Sequence, residues 1–211
     1  MENESEHAAS NARKWNKRAE TFDERRFSYF RWMQRKALSF LKLKEGMRFL
    51  DLGCGTGYAV RFVAHALRAE GDFFGADISP GMIEIARTNA AGLKNTHFVV
   101  ANAEKLPFDT DFFEAILCTN SFHHYRNPSQ ALNEVGRILK PGGQLCVMDL
   151  TADSRLIQRI DERVRAREPE HVRFYSTAEY RAMFEKAGLK HIDSRYVLPP
   201  EKVHIAQKES A

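Results

Sequence analysis

"FLDLGCGTGYAV", residues 49–60, is an apolar run that ends on an acid and then opens into three glycines, Gly53, Gly55 and Gly57, spaced two apart. Glycine reaches backbone conformations that side chains forbid, and its missing Cβ lets the chain approach a ligand closely. A helix that starts directly after such a loop turns unpaired N–H groups toward whatever lies there. The stretch reads as strand, ligand loop, helix.

Outward from this loop, apolar strand-like runs alternate with helix-like segments from Gly46 onward. That alternation belongs to a parallel sheet covered on both faces. The expected strands are 48–52, 72–77, 96–101, 113–119 and 144–150. Ser79 followed by Pro80 predicts a helix start, with Met82, Ile83, Ile85 and Ala86 as its apolar stripe. Leu132, Val135, Ile138 and Leu139 supply the next stripe, which stops at the Lys140-Pro141-Gly142-Gly143 turn. A charged stretch to about Tyr175 reads as helical, and Ser176 or Thr177 caps a helix ending near Gly188. Two last runs, 192–198 and 202–207, flank Pro199-Pro200 and read as a hairpin that closes the sheet edge.

The whole chain has 211 residues, 43% of them apolar and 28% charged, which suits one soluble domain with a sizeable core. It has no apolar run long enough for a membrane span, and its polar start, MENESEHAAS, lacks the centre of a secretory signal, so a cytoplasmic location is expected. Cys54, Cys118 and Cys146 form neither a disulfide framework nor a metal knuckle. The net charge of +4 is uneven: between Asn11 and Lys44 eleven basic residues face three acidic ones. Interleaved with these charges are Trp15, Phe22, Phe27, Tyr29, Phe30, Trp32 and Met33. Residues 1–45 are expected to be a helical cap that lies over the ligand and shapes an acceptor pocket, with 46–211 as the binding domain.

The glycine spacing narrows the ligand. A dinucleotide loop is GxGxxG, yet here the sixth position is Tyr58, and no GK[ST] follows to hold phosphates. The pattern is Asp51-x-Gly53-x-Gly55-x-Gly57, and Asp51 suits a ligand carrying an ammonium better than a pyrophosphate. Asp77 stands at the end of the second expected strand, twenty residues past Gly57, where an acid can hold ribose hydroxyls. Next comes "ANAEKLPF" (101–108), then "FEAILCTNSFHHY" (113–125) and "LKPGG" (139–143).

With these four motifs in order, the chain resembles the class I S-adenosylmethionine-dependent methyltransferases, specifically the methyltransferase type 11-like group. The resemblance implies a Rossmann-like α/β fold, with a seven-stranded, mostly parallel sheet, helices on both faces and a helical N-terminal cap. It implies S-adenosylmethionine (SAM) as cofactor and S-adenosylhomocysteine as product. The cofactor residues it implies are Asp51, Gly53, Cys54, Gly55, Gly57, Asp77, Ile78, Met82, Asn102, Ala103, Glu104, Thr119 and Asn120. One of the matched segments departs from the family at two positions: Asn102 stands where it has an aspartate facing the adenine amine, and Ala101 where it has a glycine.

Methyl transfer from a sulfonium needs alignment and water exclusion, with a base only where the acceptor starts protonated. His123 and His124 are candidate catalytic residues for that proton. Asp149, Tyr29, Tyr58 and Tyr125 are further candidates for lining the site, and no ligand spacing for a metal is evident. A small-molecule acceptor is the leading expectation. The alternatives are an RNA methyltransferase using the basic N-terminal segment, for which no Asn/Asp-Pro-Pro-Tyr motif or cysteine pair is present, and a non-catalytic SAM-binding sensor or partner protein.

Overall fold

The computed structural model describes residues 4–25, 27–68, 70–168 and 170–210, with the side chains of 4–5, 20–25 and 27 left aside. Phe22 and Phe27 therefore lie outside the described side chains. Two helices, α1 (Glu4–Arg25) and α2 (Phe27–Leu38), precede β1 (Arg48–Leu52). Then follow α3 (Tyr58–Ala66), β2 (Asp72–Asp77), α4 (Pro80–Asn89), β3 (Thr96–Val100) and β4 (Phe113–Thr119). A short 3-10 turn (Phe122–His124) leads to α5 (Pro128–Ile138), β5 (Leu139–Leu150), α6 (Arg155–Arg165), α7 (Thr177–Lys186), β6 (Leu189–Leu198) and β7 (Glu201–Lys208).

The seven strands form one sheet in the order β3-β2-β1-β4-β5-β7-β6. The first five are mutually parallel, and β7 runs antiparallel between β5 and β6. Successive side chains of a strand point to opposite faces, so a sheet covered twice needs both sets apolar. Phe49 accordingly joins a core with Val60, Val63, Phe73 and Ile83, while Leu50 joins the opposite one with Ile116, Leu132, Tyr180 and Phe184.

Local chemistry sets the helix starts. Ser79 Oγ accepts from the Met82 N–H at 3.1 Å with Pro80 next in line, and Asn127 Oδ1 does the same for Gln130 before Pro128. Ser176 and Glu179 cap each other's backbone reciprocally, a device worth about 1 kcal/mol.

Three expected boundaries move. The Lys140-Pro141-Gly142-Gly143 turn is absorbed into β5, whose pairing with β4 steps from Phe113↔Leu139 to Ala115↔Gln144, so residues 140–143 bulge opposite Glu114. Strand β6 begins at Leu189, directly after Gly188 turns the chain at φ +71°. The charged stretch is helical only to Arg165; farther on, the Val172 N–H bonds the His123 carbonyl at 2.9 Å, and the Ala152 N–H bonds that of Tyr175 at 3.0 Å. No helix among the described residues is long and apolar enough to cross a membrane.

Candidate active site

A cavity of about 810 Å³ opens at the carboxyl ends of β1, β2, β4 and β5, the place where open α/β sheets take ligands. One end is built around the glycine loop. The Gly53 and Cys54 N–H groups bond the Ala76 carbonyl at 2.8 and 3.1 Å, fixing the loop to β2. All three glycines have positive φ, but they serve different needs. A Cβ on Gly53 would collide with the Ser121 side chain, and one on Gly57 would meet Phe98 at 2.8 Å. A Cβ on Gly55 would project into open space on the cavity wall. Gly53 and Gly57 are thus required by packing, and Gly55 is the position where a ligand can approach the backbone.

Asp77 lies on the cavity wall. Its two oxygens accept the Gly55 and Ser79 N–H groups, each at 2.9 Å, so the carboxylate also ties the loop to the start of α4. Burial raises its pKa, and those N–H groups pull against the rise. Asp51 sits behind the wall, fully buried, and neither carboxyl oxygen has a hydrogen-bond partner. Burial, with repulsion from Asp77 second, pushes it up to about 8.

Gly53, Cys54, Ile78, Met82, Asn102, Ala103, Glu104, Thr119 and Asn120 also line the cavity, whereas Gly57 stands behind it with Asp51. Asn102 Oδ1 accepts the Glu104 N–H at 3.0 Å, which leaves one lone pair of that oxygen for a ligand amine. Glu104 in turn accepts the Asn127 N–H at 2.8 Å. Gln34 of α2 donates to Thr119 Oγ1 at 3.3 Å, and Asn120 adopts φ +50° as the chain leaves β4. Burial holds the Cys54 thiol far above its ordinary pKa, so it is no nucleophile.

At the other end the two adjacent histidines part company. His123 Nδ1 lies 2.8 Å from both oxygens of Asp149, and the His123 N–H also donates to Asp149 at 3.1 Å. Asp149 is fully buried at the end of β5, and a carboxylate can only accept, so Nδ1 carries a proton and Nε2 is the ring nitrogen left for a ligand. His124 instead has Nδ1 2.9 Å from the Glu170 carbonyl, and burial, seconded by His123, pushes it down to about 2. His124 also lines the cavity, and its protonated form is disfavoured there. Tyr125 is half-buried, with its hydroxyl 3.1 Å from Ser121 Oγ. Tyr58 stacks on Phe62 beneath the Arg31 guanidinium.

Helix α1 borders this end through Asn11 and Trp15. Asn11 donates to the His124 carbonyl at 3.2 Å, and Lys14 pairs with Glu168 at 2.7 Å and Glu170 at 3.3 Å. Three further residues escaped the sequence reading: Glu201, Asp161 and His171. Glu201 lines the cavity from the first residue of β7, where burial and Asp149 push it up to about 7. His171 lies 2.6 Å from Asp161. The only trace of them in the sequence is an acid directly after Pro199-Pro200 and a histidine inside a charged stretch.

Residues 43–188 match the family model described as a methyltransferase domain. Over 151 residues the chain is 34% identical to YcgJ of Bacillus subtilis, called an uncharacterized methyltransferase, covering 69% of this chain and 58% of that one. It is 32% identical over 124 residues to UbiE of Coxiella burnetii, a ubiquinone/menaquinone biosynthesis C-methyltransferase, covering 57% and 50%. The chain thus matches little more than half the length of these curated relatives. In fold, it is similar to a SAM-dependent methyltransferase from Aquifex aeolicus, with TM-score 0.71 and 23% identity over 92% of this chain and 98% of that one. A glycine loop with an acid before it, a second acid twenty residues on and a family match over most of the chain agree: this protein belongs to the class I SAM-dependent methyltransferases.

Proposed function

We propose that this protein transfers the methyl group of SAM to a small-molecule acceptor by in-line displacement, with His123 taking the acceptor's proton. The observation that carries the reading is His123, held from behind by Asp149, on the wall of the same cavity as Gly55 and Asp77. The cofactor end fits SAM on two counts. Asp51 is a buried carboxyl lacking any partner, which an ammonium nearby would satisfy, and Gly55 faces space a side chain would fill.

SAM bound there supplies an activated, electrophilic methyl group. Asp77 offers its remaining lone pairs to ribose hydroxyls, and Asn102 offers its amide oxygen to the adenine amine. Asp149 holds the tautomer and orientation of His123, whose Nε2 receives the proton as the acceptor becomes nucleophilic. The buried ring of Phe174 keeps water from that side. A small acceptor is in keeping with the UbiE relatives, named for quinone biosynthesis. Lys14 is committed to Glu168 and Glu170, which takes it away from any RNA phosphate.

The test is thermal unfolding with S-adenosylhomocysteine and, in parallel, NAD. At a hundredfold excess over Kd, a ligand of the folded state adds about 2.7 kcal/mol, or ~5–10 °C in a chain of this size. A rise with S-adenosylhomocysteine alone is expected, followed by SAM-dependent turnover on a panel of hydroxylated and amino acceptors. Stabilisation without turnover on any acceptor would leave a binding protein in place of an enzyme.

A further inference from the structure

The acceptor end contains a second histidine–aspartate pair that the chemistry above does not use. His171 is 4% exposed and lines the cavity. Its Nε2 lies 2.6 Å from Asp161 Oδ1, and that same oxygen accepts the Phe174 N–H at 2.7 Å. A carboxylate cannot donate, so Nε2 carries the proton, and Nδ1 on the other edge of the ring is a bare lone pair. That Nδ1 is buried and has no hydrogen-bond partner. Leaving a buried acceptor unmet is costly, and a group kept that way beside a cavity calls for a donor from a ligand.

The setting narrows the ligand. The rings of His171 and His123 lie 5.2 Å apart, and both residues line the same cavity. Glu201, another residue of the same cavity, adds a buried carboxyl oxygen, Oε2, without a partner. Burial keeps His171 below its ordinary pKa, so the ring stays neutral and accepting. The Phe174 ring stands 5.2 Å from His123 and 4.5 Å from His171, which gives the slot a flat apolar wall. The two imidazoles are not part of a metal centre: among the described residues no group of three His, Cys, Asp or Glu side chains could hold an ion.

We propose that His171, held by Asp161, is a specificity residue that binds a second hydroxyl of the methyl acceptor beside the one facing His123, so that the acceptor is a dihydroxyaromatic of the catechol type. This rests on the methyltransferase reading above. His123 then meets the reacting hydroxyl, His171 the neighbouring one, and Phe174 the ring face. A monohydroxy ring would leave His171 Nδ1 unmet, and a site built for a hydroxyl discriminates strongly against the analogue lacking it.

The experiment is calorimetric titration of the full chain, saturated with S-adenosylhomocysteine, with catechol and with phenol. Catechol is expected to bind about tenfold tighter than phenol. In His171→Phe the ratio should fall to within about twofold of one, and His171→Gln, which keeps an acceptor oxygen, should recover part of it. Equal affinities in the unaltered protein, no catechol binding, or a ratio indifferent to His171→Phe would each overturn the proposal. S-adenosylhomocysteine binding, measured in every variant, reports the fold and the cofactor end separately. Its loss in the unaltered protein would instead bring down the methyltransferase reading on which the proposal rests.

Discussion

The two ends of the cavity are made differently. The cofactor end comes largely from three short stretches at the ends of β1, β2 and β3, and its working parts are mostly backbone: a glycine without a side chain, two N–H groups on Asp77, an amide turn at Asn102. The acceptor end is all side chains, drawn from α1, the turn after β4, the segment after α6 and the start of β7. A ligand shared by a whole family can be held by backbone that any sequence supplies. A ligand particular to one protein must be read by side chains, and these can be gathered from anywhere in the chain.

That contrast can be broken at either end. The largest effect is expected from His123→Ala, which removes the proton acceptor and should lower kcat about 10²–10⁴-fold while S-adenosylhomocysteine affinity holds. Unimpaired turnover would show that the acceptor needs no base, and would leave that end with positioning alone. Asp77→Ala should weaken S-adenosylhomocysteine by about 1.5–3 kcal/mol, measured by titration, because charge-assisted ribose contacts and the tie to Gly55 are lost together. An unchanged Kd would move the cofactor away from β2.

The smallest effect concerns Asp51 and pH. Its pKa is raised from 3.8 to about 8, so across that interval the folded chain keeps a proton that the unfolded chain has released. The associated stability is present at low pH and is lost as pH rises through about 8. His124 and His204, depressed to about 2 and about 3, act in the opposite sense only below their ordinary value of 6.5. Between pH 6.5 and 8 the ligand-free protein should therefore lose about 1–2 kcal/mol, or ~5 °C in Tm, with Glu201 adding to the lower part. Asp51→Asn should flatten this slope, and a slope that persists would place its origin elsewhere.

Legibility follows the same division. The strands were readable because a doubly covered sheet demands continuous apolar runs, and Ser79-Pro80 marked a helix start by capping chemistry that acts over four residues. The bulge at residues 140–143 was not readable, since it depends on what Glu114 pairs with across the sheet. At the site, Asp77 lines the cavity because the sheet brings the ends of β1 and β2 side by side. His171 and Glu201 carried no local sign, because their meaning comes from Asp161 and from β7, and only the tertiary fold brings those together with His123. The adjacent histidines looked alike in sequence and differ in what faces each Nδ1, a carboxylate for His123 and a backbone carbonyl for His124.

The antiparallel insertion of β7 between β5 and β6 also governs how the protein is made. An interior strand is supplied by residues 201–208, which are synthesised after both of the strands they lie between. Until they arrive, β5 presents an unpaired edge whose residues 143–149 are all destined to be buried, the kind of surface that invites association with other chains. The nascent chain can assemble the glycine loop and its neighbours well before Glu201 exists, so cofactor affinity should emerge earlier in synthesis than acceptor selectivity.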